Sequence, residues 1–138
     1  ADAGADQNNI DESSLVTLDG TASDDPDGDL PLTYAWTQTA GTPVVLSSST
    51  APSPTFTSPV VGPSGETLTF SLVVTDALTL SSAAYAVSIW VINVNLMPTA
   101  NAGVDQSNIN ESTLVTLDGT LSEDTYGDLP LNYAWTQT

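Results

Sequence analysis

An all-β fold, an antiparallel sandwich of short strands, is what the sequence predicts, and three observations carry the prediction. Apolar and hydroxyl residues alternate with a period of two along several segments. No segment sustains a 3.6-residue apolar period. Clusters of Ser, Pro, Asp and Gly punctuate the chain between the alternating runs. Short strands with one apolar face, and no helices to cover them, must pack sheet against sheet.

Each element follows from its own residues. Leu15 to Leu18 is a short strand candidate bounded by turn residues, and Leu32, Tyr34, Trp36 and Gln38 form one face of a longer run. Thr55 to Thr57 is another short candidate, set off by Pro54 and Pro59. The clearest strand places Leu68, Phe70, Leu72 and Val74 opposite Thr67, Thr69, Ser71 and Thr75. That is the pattern of a half-buried strand. The run Tyr85 to Val94 differs, because Tyr85, Val87, Ile89 and Val91 make one face while Ala86, Trp90, Ile92 and Val94 make the other apolar too. This is a central strand, or the Trp is an ordinary exposed one, or Trp90 and Ile92 form a contact patch for a neighbouring copy.

The chain also repeats itself. AGADQNNIDESSLVTLDGTASDDPDGDLPLTYAWTQT, ending at Thr39, returns as AGVDQSNINESTLVTLDGTLSEDTYGDLPLNYAWTQT, ending at Thr138, with an offset of about 99 residues and roughly three-quarters identity. Residues 1–98 therefore read as one sandwich module and residues 99–138 as the first strands of a second, incomplete one. An incomplete sandwich exposes strand edges, so the expectation is an excerpt of a longer array, or a protomer completed by its neighbour.

Composition narrows the function. The 138 residues include 17 Asp and Glu and no Lys, Arg or His, a formal charge of −17. Such a chain cannot neutralise phosphates, which excludes nucleic acid and anionic lipid surfaces as partners. No apolar stretch is long enough to span a bilayer as a helix, so no membrane insertion is expected. At 40% hydrophobic residues the chain has the material for a core.

Catalysis lacks its usual groups. Without His, Cys, Lys or Arg there is no nucleophile–base triad, no Schiff base and no P-loop lysine, and the carboxylates cluster in turns. The chain is expected not to be an enzyme. Three non-catalytic roles remain: a structural repeat, an adhesin module binding a glycan or a surface protein, and an accessory domain of a secreted enzyme. High identity between adjacent copies favours the structural repeat, with neighbouring copies as partners.

The acidic turn is the strongest candidate site. Asp24, Asp25, Asp27 and Asp29 surround Pro26 and Gly28. Calcium takes six to eight oxygens in irregular geometry, and this chain has no cationic side chain to pair with these carboxylates. The alternative is a solvated turn, since Asp, Pro and Gly favour turns for local reasons.

Taken together, VTLDGTASDDPDG, LTYAWTQT, SPTFTSP, LTFSLVVTDA and VINVNLMPTANAGVDQ resemble the PKD-type repeats of large bacterial and archaeal extracellular proteins. The resemblance implies immunoglobulin-like antiparallel β-sandwich repeats in tandem, seven strands each, with the Trp36 strand in the core. It implies an extracellular or cell-surface location in fibres, stalks, adhesins or secreted enzymes. It also implies calcium ligands at Asp25, Asp27 and Asp76 in the first unit, and at Asn95 and Asp124 in the second. There, Thr125 and Tyr126 stand in place of Pro26 and Asp27, so a weaker or empty site is expected. Ala77 follows Asp76 where the family customarily has Gly. The junction VINVNLMPTANAG holds no flexible Gly/Ser tract, which predicts a stiff joint that calcium would stiffen further.

Overall fold

The computed structural model describes all residues, 1–138. Its tertiary contacts divide the chain into two compact units, Ala1–Val94 and Asn95–Thr138. The first holds every strand: β1 Gln7–Asp11, β2 Leu15–Thr17, β3 Thr33–Ala40, β4 Thr55–Thr57, β5 Glu66–Thr75 and β6 Tyr85–Ile92. There is no helix, and thus none long and apolar enough to cross a membrane.

Two sheets form the sandwich, one ordered β1-β6-β5-β3 and the other β2-β4. β5 lies at the centre because its alternation supplies Leu68, Phe70, Leu72 and Val74 to the interior, all buried, while Thr67 to Thr75 on the other parity face outward. It pairs antiparallel with β3, Trp36 opposite Leu72, and with β6, Leu68 opposite Ile89. The small sheet closes the core from the other side. There Val16 pairs with Phe56, and the Phe56 ring meets Phe70 across the sandwich at 5.0 Å between centroids.

Trp36 ties the irregular segment between β3 and β4 onto this core. Its indole N–H donates to the Ala51 carbonyl at 3.0 Å and its backbone N–H to Ser49 at 2.8 Å. Gly20 makes the fit at the same point: a Cβ there would lie 2.9 Å from Leu72 Cδ2 and 3.1 Å from Trp36 Cζ2. No larger residue suits that position.

The strand pattern departs from expectation in two ways. Six strands form where the family resemblance implied seven, and β1 pairs with β6 in parallel, through Gln7–Ile89 and Asp11–Ile92. β1 reads QNNID, with no apolar alternation to reveal it. It joins through backbone bonds at the sheet edge, and Asn9 at φ 58° marks the irregularity in its register. A parallel pair is feasible because β1 and β6 come from opposite ends of the unit, leaving ample chain for the return.

The second unit repeats the turns of the first but forms no strand. Gly4 and Gly103 share positive φ (76° and 80°), as do Ser13 and Ser112 (58° and 62°). Gln7 donates to the Thr17 carbonyl and Gln106 to that of Thr116, both at 2.8 Å. Turn chemistry is local and survives. Strand pairing, by contrast, needs partners from distant segments.

Candidate functional site

The acidic turn is built by one carboxylate folding back on its own loop. Asp25 Oδ1 accepts the backbone N–H groups of Asp27 at 2.8 Å, Gly28 at 2.9 Å and Asp29 at 3.4 Å, with Gly28 at φ 79°. Asp76 does the same after β5, accepting from Leu78 and Leu80, each at 2.8 Å. A backbone bond from Ala77 N–H to the Asp29 carbonyl, 3.2 Å, holds the two turns side by side. Asp24 and Asp27 point to solvent, and Asp29 is half-buried. The Ala77–Asp29 bond brings the Asp25 and Asp76 turns next to each other.

A calcium cage does not follow from it. No group of three or more acidic side chains is gathered closely enough to hold a metal ion. In an Asx-type turn the carboxylate is aimed at its own backbone N–H groups instead of at a shared centre, so mutual repulsion is relieved by amide donors. As arranged, Asp25 and Asp76 direct an oxygen to backbone N–H groups of their own turns. In the second unit Asn95 is exposed, and Asp124 Oδ1 accepts from Tyr126 at 3.0 Å and Asp128 at 3.2 Å. The turn thus tolerates Thr125 and Tyr126, because it bonds to backbone and ignores the side chains at those positions.

Asp19 and its counterpart Asp118 form a second pair of turns. Each Oδ1 takes both the hydroxyl and the backbone N–H of a threonine two residues on, Thr21 or Thr120. The threonine hydroxyl, then its N–H, holds each carboxyl below the usual carboxylate value.

One residue that sequence reasoning missed is Glu12, a carboxylate only 2% exposed in a protein without cationic side chains. Its Oε2 accepts from Val61 N–H at 2.8 Å, and its Oε1 from Val94 N–H at 2.9 Å and Asn93 Nδ2 at 3.2 Å. Three segments meet there: the turn after β1, the loop before β5 and the exit from β6. Beside it the Ser58 hydroxyl donates to the Asp11 carbonyl at 2.7 Å and accepts from Ser14 N–H at 2.9 Å. Nothing in the sequence set Glu12 apart, since it returns as Glu111 alongside the equally repeated Ile10, Ser13 and Leu15.

Trp90 and Ile92 lie on the outward parity of β6, opposite to buried Val87, Ile89 and Val91. Both are half-buried. β6 is a central strand between β1 and β5, and the Trp90 ring lies over the turn at Gly65, where a Cβ would meet Trp90 Cζ2 at 2.9 Å and the Val91 carbonyl at 2.6 Å. The second apolar face of β6 is covered in part by the turn that leads into β5.

Two packed sheets with β2 and β4 facing a β1-β6-β5-β3 sheet define the class: an immunoglobulin-like β-sandwich. Residues 3–91 match the family model described as K319L-like, PKD domain, and the chain belongs to that family. Among solved structures it is similar to a 2,6-sialyltransferase from Photobacterium sp. JT-ISH-224, crystallised with CMP and lactose, at a TM-score of 0.50 and 17% identity. That match covers 65% of this chain and 18% of the other, and it speaks to the fold alone. No curated protein matches the chain. PKD domains are typically modules of extracellular proteins.

Proposed function

We propose that the chain is a structural repeat of an extracellular fibre, stalk or surface protein, which carries load through sandwich modules in series and performs no chemistry. The observation that supports it most is repetition at two levels: the sequence recurs at an offset of about 99 residues, and the same side chain to backbone bonds recur with it. A spacer or polymer needs one surface presented again and again. The absence of His, Cys, Lys and Arg supports a non-catalytic role. In this proposal the short apolar junction restricts rotation, and Trp90 with Ile92 on the outer face of β6 provides the lateral contact between neighbouring copies.

Calcium enters as a screening counterion. A formal charge of −17 on 138 residues destabilises any compact array by self-repulsion, and divalent ions relieve it without a cage. Under this reading calcium and magnesium at equal concentration raise the melting temperature by similar amounts. A response to calcium several-fold larger than to magnesium would mean a dedicated site.

Electron microscopy of the native material, in millimolar divalent ion and after chelation, tests the structural role. Regular beaded fibres are expected, looser after chelation. Isolated particles under both conditions would overturn the proposal in favour of an adhesin or accessory module.

A further inference from the structure

We propose that Asn110 is an acceptor for N-linked glycosylation, modified by transfer of an oligosaccharide from a polyprenyl phosphate or pyrophosphate carrier. Asn110, Glu111 and Ser112 have the acceptor pattern Asn-x-Ser/Thr, with a middle residue other than proline. None of the other seven asparagines is followed by Ser or Thr two residues on. The first copy reads Asp11, Glu12, Ser13 at the same place, so the two copies differ there by one residue and only the second has the amide.

A three-residue pattern is common, and what singles this one out is the turn that presents it. The Thr113 N–H donates to the Asn110 carbonyl at 3.3 Å and Ser112 sits at φ 62°, so the amide and the hydroxyl lie on one tight turn. Asn110 and Ser112 are exposed, and neither side chain makes a hydrogen bond. A transferase therefore engages both without breaking an internal contact. The presentation belongs to the turn itself, because Asp11 and Ser13 are exposed in the fully sheeted first unit as well, again with side chains that make no hydrogen bond. There the backbone is held by the Asp11–Ile92 pairing and by the Ser58 hydroxyl on the Asp11 carbonyl. Glu12 points into the module between them, which leaves the two flanking side chains outward. Asp11 ends β1, an edge strand of its sheet, so no further strand flanks that side.

In the transfer, the Asn110 amide nitrogen bonds to the sugar C1. The C1–O bond to the carrier phosphate breaks with its electron pair on the phosphate, and the nitrogen gives up one of its two protons to a base of the transferase. The Ser112 hydroxyl is the group by which the transferase reads the acceptor. The product is a bulky, hydrated group at a neutral residue where the first unit carries a carboxylate. This inference rests on the extracellular reading, since sugars are transferred from such carriers on the far side of the membrane.

The test is mass spectrometry of the full-length protein from its source cells, with surface and cytosolic fractions kept apart and the peptide carrying Asn110 fragmented by electron transfer. An oligosaccharide mass on Asn110 is expected, lost in Asn110→Gln and in Ser112→Ala and kept in Ser112→Thr. Asp11→Asn, which completes the pattern on the equivalent turn, is expected to add a second glycan. An unmodified Asn110 would overturn the proposal. Found in protein from the surface fraction, that result leaves the extracellular reading standing; found in protein confined to the cytosol, it removes that reading as well. A glycan retained after Ser112→Ala would also overturn the proposal.

Discussion

At the scale of single residues, carboxylates in this protein act as caps for backbone N–H groups. Asp25 illustrates the point, since three amides converge on one oxygen that an asparagine also possesses. Asp25→Asn is expected to leave the melting temperature nearly unchanged while Asp25→Ala costs about 1 kcal/mol in urea unfolding. For a metal ligand, Asp25→Asn would instead lower the melting temperature in calcium and leave it unchanged after chelation. Glu12 is the more consequential carboxylate. Glu12→Ala leaves the Val61 and Val94 amides unpaired in the interior and is expected to cost about 3 kcal/mol. Glu12→Gln keeps one acceptor and turns an NH₂ group towards the other donors, for about half that loss, and denaturant titration separates the two variants.

Asp19 makes a prediction with a definite sign. Its carboxyl binds a proton less readily folded than unfolded, because Thr21 donates to the ionised form. The stabilisation is present above the unfolded value of about 3.9 and is lost as pH falls through the lower folded value. The penalty of Asp19→Ala in urea unfolding is therefore expected to be larger at pH 7 than at pH 2.5. Comparing variant with parent cancels the relief of self-repulsion that acid brings to the remaining carboxylates.

At the scale of elements, β5 is the strand on which the module depends, and its alternation made it the most legible part of the sequence. Leu72 is fully buried beside Trp36 on the neighbouring strand and closes on Gly20, so Leu72→Ala opens a cavity there, with an expected loss of about 3 kcal/mol by urea unfolding. β3 and β6 were legible for the same reason, and β2 and β4 from their turns. β1 was not, because an edge strand that joins through its backbone leaves no hydrophobic signature. The two apolar faces of β6 were visible and allowed the central-strand reading that the sheet order shows, but the turn at Gly65 folded against Trp90 was not visible.

At the scale of the whole molecule, the same sequence occurs in two environments, which separates local from cooperative structure. The Asx turns and positive-φ positions recur in both units, whereas strands and burial occur in one. Trp36→Phe is accordingly expected to lower the melting temperature of the protein by several degrees, and Trp135→Phe to leave it within about 1 °C. Calorimetry on the two variants reads the difference directly.

The sequence by itself determined the all-β class, the internal repeat, the family and most strand positions. Each of these rests on periodicity or turn chemistry, which are local properties of residues. Only the tertiary structure decided where the carboxylates point, that Glu12 lies buried at the meeting of three segments, and that β1 runs parallel to β6. It also decided that Trp36 is enclosed while Trp135 stands half open. Those outcomes depend on which distant segment arrives as a partner, and a carboxylate or a tryptophan reads the same in sequence whether or not its partner has come.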